Sequence, residues 1–249
     1  MSGSTPSTPN PAPVDSVKHP ARSGKSRTSV AQFLCALIVL LVSAPFVDQL
    51  ELGRSIDAVL VTLVSILGVL AVGRNHRTLV LALVLVFPVV LARWIHHFQP
   101  QIMPPAFQHI ASLVFLVFLE FQLLHFIFRA PKVNSEVLCA GISGYLLLGI
   151  LWTVAYMLVS GPYFDPAHTA FANNVGSVPP HALTQFEAYY FSFITLSTVG
   201  YGDITPMSHP ARSLAMMEAM VGTLYLAVLI SRLVSLYSAQ GSEVAEKKD

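Results

Sequence analysis

The stretch TLSTVGYGDITP, residues 195–206, decides how this chain is read. Gly200 and Gly202 flank Tyr201, the bare aspartate Asp203 follows, and long apolar segments lie on either side. The chain as a whole is 54% hydrophobic and 11% charged over 249 residues, with a mean hydropathy of +0.64. That is too apolar for a soluble domain of ordinary composition, and it reads as an integral membrane protein. A formal net charge of +1, with basic residues scattered through short loops, argues against a nucleic-acid footprint. Cys35 and Cys139 lie far apart in apolar runs, so neither a disulfide framework nor a metal-ligand spacing is present.

Apolar windows long enough to cross about 30 Å of hydrocarbon recur at 30–47, 56–72, 78–94, 105–128, 137–159 and 213–237. A weaker apolar stretch, 183–196, is too short to cross and leads straight into the quoted segment, so it is expected to be a re-entrant half-helix. Residues 1–29 are rich in Pro, Ser and Thr, carry Lys18, Arg22, Lys25 and Arg27, and read as a disordered basic tail. The long polar lead and Pro45 directly after Ala44 favour a retained anchor over a cleaved signal.

Counting Lys and Arg in alternate loops tests the orientation, because cytoplasmic loops hold the excess. With both termini inside, eleven of the fourteen fall on the cytoplasmic side; Arg54, Arg93 and Arg212 are the exceptions. The count supports six crossings, with the 183–196 helix entering and leaving by the outer face. The quoted segment then lies within the membrane. Non-helical backbone at that depth is tolerated only where its polar groups meet protein or an aqueous path. Gly200 and Gly202 can take left-handed angles that other residues resist, so successive carbonyls can turn toward one axis. A ring of such carbonyls can replace the water around a cation.

The segment TLSTVGYGD resembles the selectivity filter of potassium channels, whose pattern is close to TxTTVGYGD. The resemblance implies inward carbonyls from Thr198, Val199, Gly200 and Tyr201, the innermost ligands from the Thr198 hydroxyl, a turning outer mouth at Gly202 and a cap at Asp203. It implies that the Tyr201 ring points into the pore helix, where Tyr190 and Phe191 stand at the positions of an aromatic cuff. Ser197 replaces the usual threonine and keeps a hydroxyl. The family places a gating glycine twenty residues after the second filter glycine, here Gly222, and often a basic residue ten after it, here Arg212. Thr223, Leu226, Ile230 and Val234 share the helical face running on from Gly222 and are expected to line the cavity and inner gate. The Pro-x-Pro bend of many voltage-gated members is missing. The resemblance covers the last two spans and the segment between them, and the first four only in number and topology.

Glu218 lies four residues before Gly222 within a span, where an ionisable group costs about 3 kcal/mol unless it finds a partner or water. It is expected either to support the filter from behind through hydroxyls such as Thr195 or Ser197, to draw cations into the cavity, or to sit protonated in a helix interface. Glu120 and His125 in the fourth span read as polar packing between helices. His96, His97, His109 and His125 raise the alternative of a haem or metal site, but none shows paired ligand spacing. A secondary transporter is a further alternative, although such folds have broken helices in both halves and this chain has one. His168 and His181 lie in the long 161–181 loop as candidate sensors of external pH.

These readings define an all-α, six-span membrane protein with a re-entrant pore helix and filter loop. The expected division is a cytoplasmic tail at 1–29, a four-helix membrane domain at 30–130 without the charges of a voltage sensor, a pore domain at 136–237, and a short cytoplasmic tail at 238–249. No ligand-binding domain is expected after the inner helix. The expected function is passive, potassium-selective conduction through a homotetrameric pore in the cell membrane, with potassium as the permeant ion, no cofactor and no enzymatic activity. A non-selective cation channel is the neighbouring alternative.

Overall fold

A computed structural model describes residues 26–47, 50, 52–73, 75–99, 101, 103–167, 169–174 and 182–246. Seven helices form along the chain: α1 (Ser26–Val47), α2 (Gly53–Val72), α3 (His76–Phe98), α4 (Pro105–Arg129), α5 (Ser135–Ser160), α6 (Gln185–Leu196) and α7 (His209–Glu246). Six of them, all but α6, are long and apolar enough to cross a membrane. The chain is a multi-pass, all-α membrane protein, as its sequence pattern implies. Helix α1 starts at Ser26, so the last four residues of the expected 1–29 tail are helical, and α7 continues past residue 237 to Glu246. Most of the 1–29 tail, His168, His181 and the last three residues lie outside the described residues.

Local signals account for the helix ends. The Asn134 side chain accepts a hydrogen bond from the Val137 amide at the start of α5, and Pro105 occupies the first turn of α4, where its missing N–H costs nothing. Thr184 caps α6 with a reciprocal pair: its hydroxyl accepts from the Glu187 amide while the Glu187 carboxylate accepts from the Thr184 amide. Pro88 sits inside α3, as membrane helices tolerate when neighbours re-satisfy the freed backbone group.

The first four helices pack in sequence, α1 on α2, α2 on α3 and α3 on α4, and then onto the pore helices of the same chain through α4 on α5 and α1 on α5. Phe33 and Leu37 of α1, Phe115 and Leu119 of α4, and Leu147 of α5 meet in one shared core. The link between α4 and α5 is only residues 130–134, which holds the two helices side by side. A second core encloses the pore helix, with Trp152 and Tyr156 of α5, Phe191 and Leu196 of α6, and Ala211 of α7.

Two three-residue strands, β1 (Phe171–Asn173) and β2 (Ile204–Pro206), pair antiparallel with Ala172 opposite Thr205. This ribbon ties the long loop after α5 to the segment that follows Asp203. The helices differ sharply in how much neighbour they find in one chain: 61% of the apolar window of α5 is buried, against 17% for α7. Helix α7 therefore presents most of its apolar surface outward, including Met216, Leu224, Ile230 and Val234.

Candidate functional site

The segment 197–203 leaves the C-terminus of α6 and never becomes regular structure. Its amides are tied back to the last turn of that helix: Ser197 to the Phe193 carbonyl at 3.1 Å, Thr198 to Thr195 at 2.9 Å, and both Val199 and Gly200 to Ile194 at 2.9 and 3.2 Å. The donors are thus consumed on the helix side. Among the described residues, no hydrogen bond is accepted by the carbonyls of Thr198, Val199, Gly200 or Tyr201. Thr198, Gly200 and Gly202 have φ of 61°, 54° and 81°, while Val199 and Tyr201 between them keep negative values. In a strand of uniform φ, successive carbonyls point to opposite sides; alternating handedness lets them share one side. Thr198 makes the argument specific. A left-handed angle costs a side-chain-bearing residue about 1–2 kcal/mol, and such strain persists only where the surroundings enforce it, typically at functional sites. The sequence named Thr198 for its carbonyl and hydroxyl but pointed to the glycines alone for left-handed angles.

The end of this segment, Gly202 and Asp203, is held from two sides. Tyr190 of α6 donates its hydroxyl to Asp203 at 2.6 Å. That bond holds the Asp203 carboxyl below the ordinary carboxylate range and pushes the Tyr190 hydroxyl up to about 12. From the ribbon, the Asn174 side chain donates to the Gly202 carbonyl at 2.8 Å and its amide to the Asp203 carbonyl at 2.6 Å. Asn174 was not singled out from sequence, because nothing local marks it. Tyr190 and Phe191, expected as an aromatic cuff, meet different partners within the chain: Tyr190 reaches Asp203, whereas Phe191 is buried against Tyr156 and Phe171. The Tyr201 ring is 72% exposed in the isolated chain.

Behind the filter, Glu218 of α7 is fully buried. Its partners are Tyr156 of α5, whose hydroxyl lies 2.5 Å from Oε2, and Ser192 of α6, whose hydroxyl lies 2.6 Å from Oε1. The expected partners Thr195 and Ser197 are not used. The Ser197 hydroxyl bonds back to the Phe193 carbonyl at 2.7 Å, and the Thr195 carbonyl holds the Thr198 amide. Complete burial also places Glu218 away from any cavity lined by the exposed face of α7. One turn further on, Gly222 lies against Leu196, the last residue of α6, so closely that an added Cβ would sit 2.6 Å from the Leu196 carbonyl oxygen. Helix α7 runs unbroken through Gly222. Thr223, Leu226, Ile230 and Val234 all lie on the exposed side of α7.

Two further ties escaped the sequence reading. Asp57 of α2 pairs with Arg93 of α3 and also accepts from the Gln185 side chain at 2.7 Å, gripping the first residue of the pore helix. Arg232 of α7 donates to the Phe128 and Ala130 carbonyls at 2.8 and 3.0 Å, closing the C-terminal end of α4. Glu120 is buried beside Gly144 and Tyr225. His125 stacks on Phe121, and His97 packs edge-on against Trp94 and Phe98. Among the described residues, no three His, Cys, Asp or Glu side chains come together.

Comparison with known proteins places the chain. Residues 151–239, which hold the last ten residues of α5, all of α6, the 197–203 segment and most of α7, match the family described as Ion channel. The chain is 34% identical over 104 residues to protein LctB of Bacillus caldotenax, a match that takes in 41% of this chain and 74% of that protein. It is 32% identical over 98 residues to an inward rectifier potassium channel of Paramagnetospirillum magnetotacticum, covering 37% of this chain and 32% of the relative. To a two pore potassium channel of Oryza sativa subsp. japonica it is 30% identical over 90 residues, covering 36% and 19%. The chain thus matches a third or less of the length of these two channels. No solved structure matches to the same standard. The chain belongs to the ion-channel family, which is not a family of enzymes.

Proposed function

We propose that four copies of this chain form a potassium-selective pore and conduct potassium passively down its gradient. The observation that carries the reading is the alternating left-handed backbone of Thr198, Gly200 and Gly202, with the carbonyls of residues 198–201 free of protein partners among the described residues. Four such segments around one axis give stacked rings of carbonyl oxygens, and one segment alone cannot encircle an ion. The outward apolar face of α7 supplies the contact between copies and, through Thr223, Leu226, Ile230 and Val234, the wall of the cavity below the filter. The names of the potassium-channel relatives support the choice of ion. In the assembly each four-helix front unit rests on the pore helices of its own chain, as α1 and α4 pack on α5 within one chain. The pore sits in the cell membrane with both chain ends on the cytoplasmic side, where the Lys and Arg excess falls.

Purified protein in liposomes, loaded with potassium or with sodium, tests the reading. Efflux of potassium well above that of sodium is the expected result. Equal fluxes would replace it with a non-selective cation channel, and saturable flux coupled to a second ion would replace it with a transporter.

A further inference from the structure

The oxygens around Glu218 make three contacts and need three hydrogens to do so. Tyr156 Oη lies 2.5 Å from Glu218 Oε2. Glu218 Oε1 lies 2.6 Å from Ser192 Oγ. Ser192 Oγ lies 2.8 Å from the Gly149 carbonyl oxygen of α5. Tyrosine and serine carry one hydroxyl hydrogen each and a carbonyl carries none. With Glu218 ionised, two hydrogens serve three contacts, and one pair of oxygens faces across hydrogen-bond distance with nothing between. Thr153 already uses its own hydroxyl on the same Gly149 carbonyl, at 2.8 Å, and has none to spare.

We propose that Glu218 is a positioning residue that works as a neutral carboxylic acid. Its own hydrogen closes a directed chain: Tyr156 O–H to Oε2, Oε1–H to Ser192 Oγ, and Ser192 O–H to the Gly149 carbonyl. Burial agrees with the count. Glu218 is 0% exposed, and no basic side chain lies within ion-pair distance among the described residues; a buried carboxylate without a counter-charge is strongly disfavoured.

The chain of hydroxyls has a mechanical meaning because of where it lies. Ser192 and Leu196 are one turn apart on α6, Glu218 and Gly222 are one turn apart on α7, and the two pairs meet in register. The acid therefore locks the inner helix to the pore helix directly above the point where α7 abuts the base of the filter, and ties both to α5. As an uncharged group it does this without placing four negative charges behind the permeant ions. The functional half of this inference rests on the potassium-channel reading; the protonation half does not.

The test compares Glu218→Gln and Glu218→Leu with the unmodified protein in two assays. Glutamine reproduces the hydrogen pattern, accepting from Tyr156 through its carbonyl and donating to Ser192 through its amide. Leucine leaves the Tyr156 hydroxyl without its acceptor and cuts the link to Ser192, whose own hydrogen still reaches the Gly149 carbonyl. The infrared difference spectrum of purified protein, unmodified minus Glu218→Gln, is expected to show the carbonyl stretch of a protonated carboxyl group. A carboxylate pair of bands in its place overturns the proposal whether or not the protein conducts. In liposomes, Glu218→Leu is expected to lower the potassium-to-sodium permeability ratio by about tenfold, the scale of one buried group left unsatisfied, and Glu218→Gln to restore it. Failure of glutamine to rescue while Glu218→Leu stays tetrameric refutes the positioning role. An unmodified protein without potassium preference refutes the channel reading alone.

Discussion

Replacing Gly222 with alanine separates two reasons for a glycine in the inner helix. If residue 222 is a hinge, alanine stiffens α7, contributes up to about 1 kcal/mol of helix propensity, and shifts only the fraction of time the pore is open. The structure gives a different expectation. An alanine Cβ would stand 2.6 Å from the Leu196 carbonyl oxygen, 2.7 Å from Leu196 Cδ1 and 3.2 Å from its Cγ. The first distance falls about 0.8 Å short of the 3.4 Å at which ordinary contact begins. The side-chain atoms can yield by rotation, but the carbonyl is backbone in the last turn of α6, whose Ile194 and Thr195 carbonyls hold the amides of Thr198, Val199 and Gly200. Overpacking of this kind costs about 1–3 kcal/mol, so the net change after the full propensity gain is a loss of up to about 2 kcal/mol per chain. The expected outcome is a lower thermal midpoint of the assembled channel, together with reduced potassium preference as α6 is pushed toward the axis. Thermal unfolding and reversal potentials in mixed salts measure the two effects, and single-channel recording reports the open fraction. A Gly222→Ala channel that melts higher than the unmodified one and keeps its selectivity, with only its open probability changed, would refute close approach and restore the hinge.

Gly200→Ala, which forces a side chain onto φ of 54° at about 1–2 kcal/mol, is expected to abolish potassium preference while the protein still assembles; unchanged reversal potentials would count against the filter assignment. Tyr190→Phe removes the hydroxyl that holds the Asp203 carboxyl low. A carboxyl lowered in the folded state contributes stability above its ordinary range, and that contribution disappears as pH falls through the lowered value. The variant is therefore expected to lose outer-mouth conductance at a higher pH on external acidification, and identical acid titrations of the two proteins would contradict this. The channel is expected to lack steep voltage dependence. Helix α4 offers Arg129 at its inner end as its one basic side chain of fixed charge. Four of these crossing the whole field would supply roughly 9 kcal/mol per 100 mV, against the 12 to 16 charges of a steep sensor. An effective gating charge above about four elementary charges in planar bilayers would sink that expectation.

The six spans were legible because length and hydropathy decide them directly. The window at 30–47 reappears unchanged as an apolar span and 56–72 gains a single residue, whereas 78–94 grows to His76–Phe98 because His96 and His97 continue the last turn without being apolar. The half-helix at 183–196 was legible from its shortness and its place before the glycines, and it forms as Gln185–Leu196. Lateral pairings were not legible. Glu218 was expected to meet hydroxyls near the filter in sequence, but which face of α6 turns toward α7 depends on how the two helices pack, and that brings Ser192 to it instead of Thr195. Phe191, adjacent to Tyr190, lies about 100° away around the helix and so packs against Tyr156 of α5 instead of reaching Asp203. Strands of three residues such as Phe171–Asn173 carry too short a pattern to read, and the Asp57 tie to Gln185 spans 128 positions.

In the proposed tetramer, the brevity of residues 130–134 bears on how copies come together. Because α4 and α1 dock on the α5 of the same chain, a single copy completes its front-to-pore contacts as it folds, before it meets another. Only the outward faces of its pore helices then remain to be matched between copies. In a channel assembled from mixed chains, a defect in one four-helix unit stays with the copy that carries it and reaches its neighbours only through the pore. Graded effects of mixing ratio would then originate in the front helices, and all-or-none effects in α7 and the filter.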